Sequence, residues 1–152
     1  MKKVLKGTVC ALLVAGLVGV AYAQFAKTED AIEYRQSVMV LIGHHFGQIA
    51  AMVQGKKPFD AKELQQNAAL VETLSKLPLA AFLMDGSDKG KTHMKPAALK
   101  DKEDFKAHLE AFDTEAAKLA QVAAGGDLEA IKAQFGNVGK SCKACHDKYR
   151  SH

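Results

Sequence analysis

The stretch DLEAIKAQFGNVGKSCKACHDKYR, residues 127–150, decides how this chain folds. Its apolar residues recur at three- and four-residue steps, which predicts an amphipathic helix with one buried side. That side carries Leu128, Ile131, Phe135, Val138, Cys142, Cys145 and Tyr149. Asp127 is placed to cap the first turn. Gly136 and Gly139 cost this helix about 1 kcal/mol each relative to alanine, so packing or a bound group must stabilise it.

Three earlier stretches have the same helical period. The first runs from about residue 28 to 54, the second opens at Asp60, and the third starts near Asp101. Asp60 and Glu63 have the spacing of a capping box. The glycine- and proline-containing connection from about residue 78 to 100 is expected to be mostly irregular. Four such helices predict an all-α, antiparallel up-down-up-down four-helix bundle.

The first 23 residues have the pattern of a cleaved secretory signal peptide. A basic segment precedes an apolar run from Val9 to Val20, and Ala21-Tyr22-Ala23 supplies the small-x-small pattern of a cleavage site. A membrane anchor is the alternative, but the uncharged run is shorter than the ~20 apolar residues that span a bilayer. We therefore predict cleavage after Ala23, export to the periplasm, no membrane insertion afterwards, and a mature domain of residues 24–152.

Charge and cysteine content change once this segment is set aside. The whole chain has a formal net charge of +4, with 21 Lys and Arg against 17 Asp and Glu. Three of the basic residues lie in the signal segment, so the mature domain is close to neutral and its charge gives no reason to expect nucleic-acid binding. Cys10 also lies in that segment, which leaves Cys142 and Cys145 as the cysteines of the domain.

Cys142, Cys145 and His146 form a C-x-x-C-H motif. On a helix, positions three apart present both thiols to one side, where they can add to the two vinyl groups of a haem. The histidine that follows can then point its imidazole at the iron. The motif predicts one haem c per chain, thioether-linked to Cys142 and Cys145, with His146 as the iron ligand.

Three alternatives account for the motif less well than haem attachment does: a redox pair, a zinc site and a structural disulfide. A thioredoxin-like redox pair belongs to a βαβ setting, which this helical pattern lacks. A zinc site needs two further ligands at suitable spacing, and the adjacent His44 and His45 face different ways. A structural disulfide would leave His146 without a role.

The position of the motif restricts what lies on the other face of the iron. Six residues follow His146, which is too few for a downstream loop to supply a second ligand. The residue on that face must therefore come from an earlier helix.

With these features the chain resembles the cytochrome c′ family, the class II c-type cytochromes, over essentially the whole mature domain. The resemblance rests on SCKACHDKYR at residues 141–150, on YRQS at residues 34–37 with Arg35 four residues before Met39, and on Phe82 after a Leu-Pro break. It implies a four-helix bundle, often a homodimer through the first two helices. It also implies a five-coordinate, high-spin iron held by His146 that binds NO and CO and can transfer electrons.

The resemblance also gives roles to residues outside the motif. Met39 would cover the vacant face of the iron. Arg35 and Arg150 could pair with haem propionates, because guanidinium binds carboxylate in a bidentate fork; a surface salt bridge and a solvated terminus are the respective alternatives. Phe82 and Phe135 are either haem contacts or ordinary core residues.

Met39 leaves a second function open. A thioether can ligate haem iron, and Met/His ligation is the usual electron-transfer arrangement. The alternative is therefore a six-coordinate, low-spin electron carrier that uses Met39. Other methionines and the histidines outside the motif are weaker candidates for ligation. These histidines, His44, His45, His93 and His108, are expected at the surface.

The sequence does not favour an enzyme. Peroxide cleavage usually requires a polar acid–base pair beside the distal face of the haem. The first helix instead offers methionine, isoleucine and phenylalanine there. An apolar distal side also predicts strong NO binding, weaker CO binding and little stable O₂ complex, because bound O₂ depends most on a hydrogen-bond donor.

Overall fold

The computed structural model describes residues 24–151, so the predicted signal peptide, residues 1–23, and His152 lie outside the described residues. Within this range the chain forms six helices. They are α1 (Thr28–Val53), α2 (Ala61–Ser75), α3 (Leu79–Leu83), α4 (Ala97–Lys100), α5 (Lys102–Gly125) and α6 (Leu128–Tyr149). The long helices α1, α2, α5 and α6 form the bundle, and each packs most extensively against the next long helix along the chain. This confirms the predicted all-α four-helix bundle.

Local side-chain chemistry accounts for where two of the long helices, α2 and α6, begin. The Asp60 carboxylate accepts a hydrogen bond from the Glu63 backbone N–H at 2.9 Å, which satisfies a donor that the first turn leaves free. The Glu63 carboxylate itself pairs with Lys57 at 2.5 Å. Asp127 caps α6 in the predicted way, accepting from the N–H groups of Glu129 and Ala130.

The connection between α2 and α5 is more ordered than the sequence suggests. It contains the short helices α3 and α4, and its residue Met94 pairs with Arg150 in an isolated antiparallel bridge. The Lys95 N–H donates to the Tyr149 carbonyl oxygen at 2.8 Å. The expectation of a mostly irregular segment is confirmed, since residues 84–96 contain no helix. The two short helices and the backbone pairing with the end of α6 add order that the composition alone does not indicate.

The main core lies along the axis of the bundle and takes residues from all four long helices. Its buried members are Val38, Ile42, Ile49, Met52, Leu64, Ala68, Val71, Phe112, Ala116, Leu119, Ala123, Ile131 and Val138. Helices α1 and α6 pack against each other less extensively than the pairs α1–α2, α2–α5 and α5–α6. The bundle is therefore most open beside the helix that carries the C-x-x-C-H motif. In residues 24–151, no helix has both the length and the apolar character to cross a membrane.

Candidate haem site

The last turns of α6 present the motif side chains to an internal cavity. Burial raises the pKa of Cys142, and burial together with Cys142 and Asp104 raises the pKa of Cys145 to about 11. Partial burial and the positive charge of Arg150 lower the pKa of His146. At neutral pH the site therefore offers two uncharged thiols and a neutral imidazole, which is the form that binds a metal.

The same properties count against a redox pair. A reactive redox cysteine requires an environment that lowers the thiol pKa, whereas burial at this site raises it. Both cysteines are free thiols. Within the part of the chain that the structure describes, no three His, Cys, Asp or Glu side chains are grouped to hold a metal ion.

The cavity lies between α1, α5, α6 and the α2–α5 connection and has a volume of about 780 Å³. This volume is in the range of cofactor sites. All seven residues predicted for the site line it: Arg35, Met39, Phe82, Cys142, Cys145, His146 and Arg150. Most of the remaining wall is apolar and includes Val40, Ile42, Phe46, Met94, Phe105, Leu109 and Phe112.

Arg35 is the most buried charged side chain at the site, with 2% of its surface exposed. One terminal nitrogen, Nη2, donates to the Ser87 carbonyl oxygen and to Thr92 Oγ1, both at 2.6 Å. Its guanidinium carbon lies 4.8 Å from the centroid of the Phe82 ring. Arg35 therefore joins α1 to the α2–α5 connection, and the alternative of a surface salt bridge is wrong.

The second terminal nitrogen of Arg35, Nη1, is buried and has no hydrogen-bond partner in the described residues. Burial lowers the pKa of Arg35 to about 10, and the carboxylate of Asp88 acts in the opposite direction. A buried donor on a cation is costly to leave unpaired. Arg35 therefore brings an incompletely hydrogen-bonded cation to the lining of the cavity.

The α1 wall of the cavity is apolar where it lies beyond Arg35. Met39, one turn after Arg35, is partly buried, packs against the main core and lines the cavity. Ile42 and Phe46 follow on the same face. The neighbouring polar residue Gln36 donates from Nε2 to the Lys91 carbonyl oxygen at 2.8 Å.

Phe82 and Phe135 have different positions. Phe82 lines the cavity, contacts Arg35 and packs its ring against Phe105 at a centroid distance of 5.3 Å. Phe135 is not among the lining residues; it stacks on Phe46, with ring centroids 4.3 Å apart and an interplanar angle of 14°. Phe135 thus joins α6 to α1, and the core alternative describes it better than a direct haem contact.

Not all of the histidines outside the motif are exposed at the surface as expected. His44 and His93 are exposed, although His93 reaches the edge of the cavity. His45 Nδ1 lies 2.8 Å from Oδ1 of the largely buried Asn67. His108 lines the cavity with a side chain only 24% exposed, so the expectation of a surface position is wrong for it. Its position one turn before the buried Phe112 is the sequence signal that indicates an inward-facing residue.

Sequence reasoning also missed the contribution of the α2–α5 connection. Thr92 and Met94 line the cavity, and Ser87 is fully buried beside it. The hydroxyl of Ser87 donates to the Phe82 carbonyl oxygen at 2.8 Å. These contacts depend on distant partners in α1 and α6, so the local sequence carries no periodic signal for them.

These residues fit a covalently attached haem. Two thiols three residues apart, a neutral imidazole one residue further on and the incompletely hydrogen-bonded Arg35 all line one large, mostly apolar cavity. A Cβ atom added to Gly43 or Gly139, which also line the cavity, would meet no other atom within 4 Å. When bound, a haem supplies an iron centre that can bind diatomic gases and change oxidation state.

A four-helix bundle whose last helix directs a C-x-x-C-H motif into such a cavity defines a c-type cytochrome that holds its haem within the bundle. A family model described as Cytochrome C′ matches residues 30–150. Cytochrome c′ from Rubrivivax gelatinosus is 53% identical over 128 residues, which cover 84% of this chain and 98% of that protein. The chain belongs to the cytochrome c′ family, whose members are non-enzymatic proteins with a covalent haem c.

Solved structures agree with this assignment. Cytochrome c prime from Shewanella frigidimarina superimposes with a TM-score of 0.82 at 46% identity, covering 84% of this chain and 99% of that one. Variants of cytochrome c prime from Alcaligenes xylosoxidans, one as a nitric oxide complex and one with carbon monoxide bound, each have a TM-score of 0.79 at 43% identity. They cover 85% of this chain and 99% and 100% of their own.

Proposed function

We propose that this chain is an exported mono-haem cytochrome whose five-coordinate, high-spin iron binds NO and CO and can also pass electrons. The observation that carries the proposal is the apolar α1 wall of the cavity, formed by Met39, Ile42 and Phe46. The polar side chains of α1 at the site, Arg35 and Gln36, are engaged with the α2–α5 connection. The NO and CO complexes of variants of the Alcaligenes relative support the same ligands here.

The proposed haem attachment uses the residues that line the cavity from α6. Cys142 and Cys145 form the thioether links, and His146 binds the iron. Arg35 directs its unpaired Nη1 toward one propionate, because this nitrogen is buried without a partner. Arg150, which is exposed and lines the cavity, pairs with a propionate at the outer edge of the haem. Phe82 packs against the haem from the α3 side.

The alternative is a low-spin electron carrier in which the Met39 thioether occupies the sixth position. Its support is that Met39 lines the cavity on α1, away from the helix that carries His146. The optical spectrum of the reduced protein, before and after CO is added, separates the two functions. We expect a broad high-spin spectrum that shifts promptly with CO. Sharp low-spin bands that ignore CO would contradict the open site and favour the electron carrier.

Replacing Met39 with alanine is expected to accelerate CO association on the order of tenfold, which corresponds to about 1.4 kcal/mol of barrier. The reason is steric, since Met39 is proposed to cover the face on which CO binds. The measurement is the association rate after flash photolysis of the CO complex. Val40→Ala is the matched control, because Val40 is the next residue and also lines the cavity but is 71% exposed. A Met39→Ala rate no faster than that of Val40→Ala would contradict the covering role.

We further propose that the protein is a homodimer that associates through α1 and α2. Large apolar side chains are exposed on these helices, with Leu41 47% and Leu70 43% exposed, and Leu77, just past the end of α2, is 39% exposed. Apolar area of this kind favours burial against a second copy. Residues on α1 and α2 can meet their symmetry mates across a two-fold axis.

Replacing Leu41 with glutamate is expected to convert the dimer to a monomer, because it places a charge in the apolar interface. Sedimentation velocity measures the change. Ala133→Glu is the control, since it adds the same charge at an exposed position of α6. A monomeric wild-type protein, or a dimeric Leu41→Glu variant, would contradict the proposed interface.

The proposed location is the periplasm, reached through a signal peptide that is cleaved after Ala23. The Rubrivivax relative supports this boundary, because it aligns over 128 residues at 98% of its own length, close to the length of residues 24–152. The mass of the purified protein should equal that of residues 24–152 plus one haem. A mass that includes residues 1–23 would contradict cleavage.

A further inference from the structure

Three side chains converge on the carboxylate of Asp104 in the first turn of α5. The Tyr149 hydroxyl donates a hydrogen bond to Oδ2. Lys148 Nζ lies 2.8 Å from the same oxygen, and His108 Nδ1 lies 3.2 Å from it. His108 Nδ1 is also 2.8 Å from the Asp104 carbonyl oxygen. Together these residues form what we term the Asp104 cluster: Asp104, His108, Lys148 and Tyr149.

The cluster lies at the turn of α6 that follows His146. The Arg150 N–H donates to the His146 carbonyl oxygen at 3.0 Å, so His146 and Tyr149 belong to the same closing turn of the helix. Tyr149 is 3% exposed, and its ring packs edge-on against Phe105 and His108 at centroid distances of 4.9 and 5.5 Å. Tyr149 also lines the cavity. Movement of this turn would therefore break the ring contacts that Tyr149 makes with α5 at the edge of the cavity.

The contacts within the Asp104 cluster differ in how strongly they hold the end of α6 on α5. Lys148 and Asp104 have side chains 47% and 38% exposed, and an ion pair of that exposure contributes little to stability. Tyr149 is 3% exposed, and the polar group of a buried residue is costly to leave without its hydrogen-bond partner. The Tyr149–Asp104 hydrogen bond is thus the contact that fixes the end of α6 on α5.

We propose that Asp104 is a positioning residue that fixes the direction of the His146 imidazole by anchoring Tyr149, and so sets the geometry of the iron–histidine bond. This rests on the proposed ligation of the iron by His146. Asp104 is not among the residues that line the cavity, so it would act through the last turn of α6. The role goes beyond haem attachment, which requires only the motif itself.

Resonance Raman spectroscopy of the ferrous holoprotein tests the proposal through its iron–histidine stretching band. Tyr149→Phe removes the hydroxyl that Asp104 accepts and changes no charge. Asp104→Asn removes the charge at the anchor and weakens the acceptor. Asp101→Asn is the matched control, because Asp101 lies 3.8 Å from Lys148 and the substitution makes the same charge change away from Tyr149.

We expect the band to shift or broaden in Tyr149→Phe and Asp104→Asn and to match the wild type in Asp101→Asn. An unchanged band in Tyr149→Phe would overturn the proposal. Equal shifts in Asp104→Asn and Asp101→Asn would also overturn it, because charge alone would then account for the effect. A wild-type protein without an iron–histidine band would contradict the proposed ligation of the iron by His146. In that case the proposed function would fail, and the role of Asp104 would fail with it.

Discussion

Replacing Cys142 and Cys145 together with alanine is expected to abolish covalent haem attachment and to loosen the bundle. Without either thiol, no thioether can form, so haem staining after denaturing electrophoresis should disappear. The cavity of about 780 Å³ would then lack its occupant. Its apolar wall would then face water, which removes packing free energy that is large relative to the stability of a small domain, about 5–15 kcal/mol. The middle of α1, where residues from Arg35 to Phe46 line the cavity, and the glycine-containing α6 should therefore lose helical structure.

Two measurements separate the chemical effect from the structural one. The haem stain reports attachment, and far-ultraviolet circular dichroism reports the loss of helix. Ser141→Ala is the control, because Ser141 also lines the cavity and neighbours Cys142 but offers no thiol; its hydroxyl donates to the Val138 carbonyl oxygen of its own helix. Retention of covalent haem by the double variant, or its loss from Ser141→Ala, would contradict attachment through the two cysteines.

Replacing Arg35 with leucine is expected to lower the free energy of unfolding of the ferric holoprotein by about 3 kcal/mol. The change removes the donor to the Ser87 carbonyl oxygen and to Thr92 Oγ1, and each buried group left unpaired costs about 1–3 kcal/mol. Loss of the contact with the Phe82 ring adds about 0.5–1 kcal/mol. Removing a desolvated cation offsets part of this loss of stability. The offset is smaller the more completely Asp88 and the proposed propionate compensate the charge of Arg35.

Denaturant unfolding measures this effect, and the adjacent residue provides its control. Gln36 also ties α1 to the connection, donating to the Lys91 carbonyl oxygen, but both groups are exposed. Gln36→Ala should therefore change the free energy of unfolding by no more than about 0.5 kcal/mol. Equal losses of unfolding free energy in the two variants would contradict the larger contribution that burial is expected to give Arg35.

Much of the bundle follows from local patterns in the sequence. The apolar stripe of each long helix depends on the helical period, and the caps at Asp60 and Asp127 depend on side-chain oxygens placed just before a first turn. The C-x-x-C-H motif likewise needs only the geometry of one helix. Such signals act over a few residues, so they can be recognised without knowledge of the fold.

Contacts between distant segments were harder to predict. The α2–α5 connection has the composition of a loop, yet it pairs with the end of α6 through Met94 and Arg150 and receives the Arg35 guanidinium from α1. Phe135 has the sequence pattern of a residue facing the haem, but it stacks on Phe46 and does not line the cavity; Phe46 does. His108 turns inward because Asp104 and Tyr149 hold its ring.

The sequence by itself determined that this protein is a helical bundle with a haem-binding motif on its last helix, because helical period and motif spacing are properties of short segments. Tertiary structure alone decided that Arg35 is buried with one free donor, that the connection closes one side of the cavity, and that Asp104 anchors the turn of His146. These features depend on which surfaces of separate helices meet, and packing free energy, rather than local preference, selects those partners.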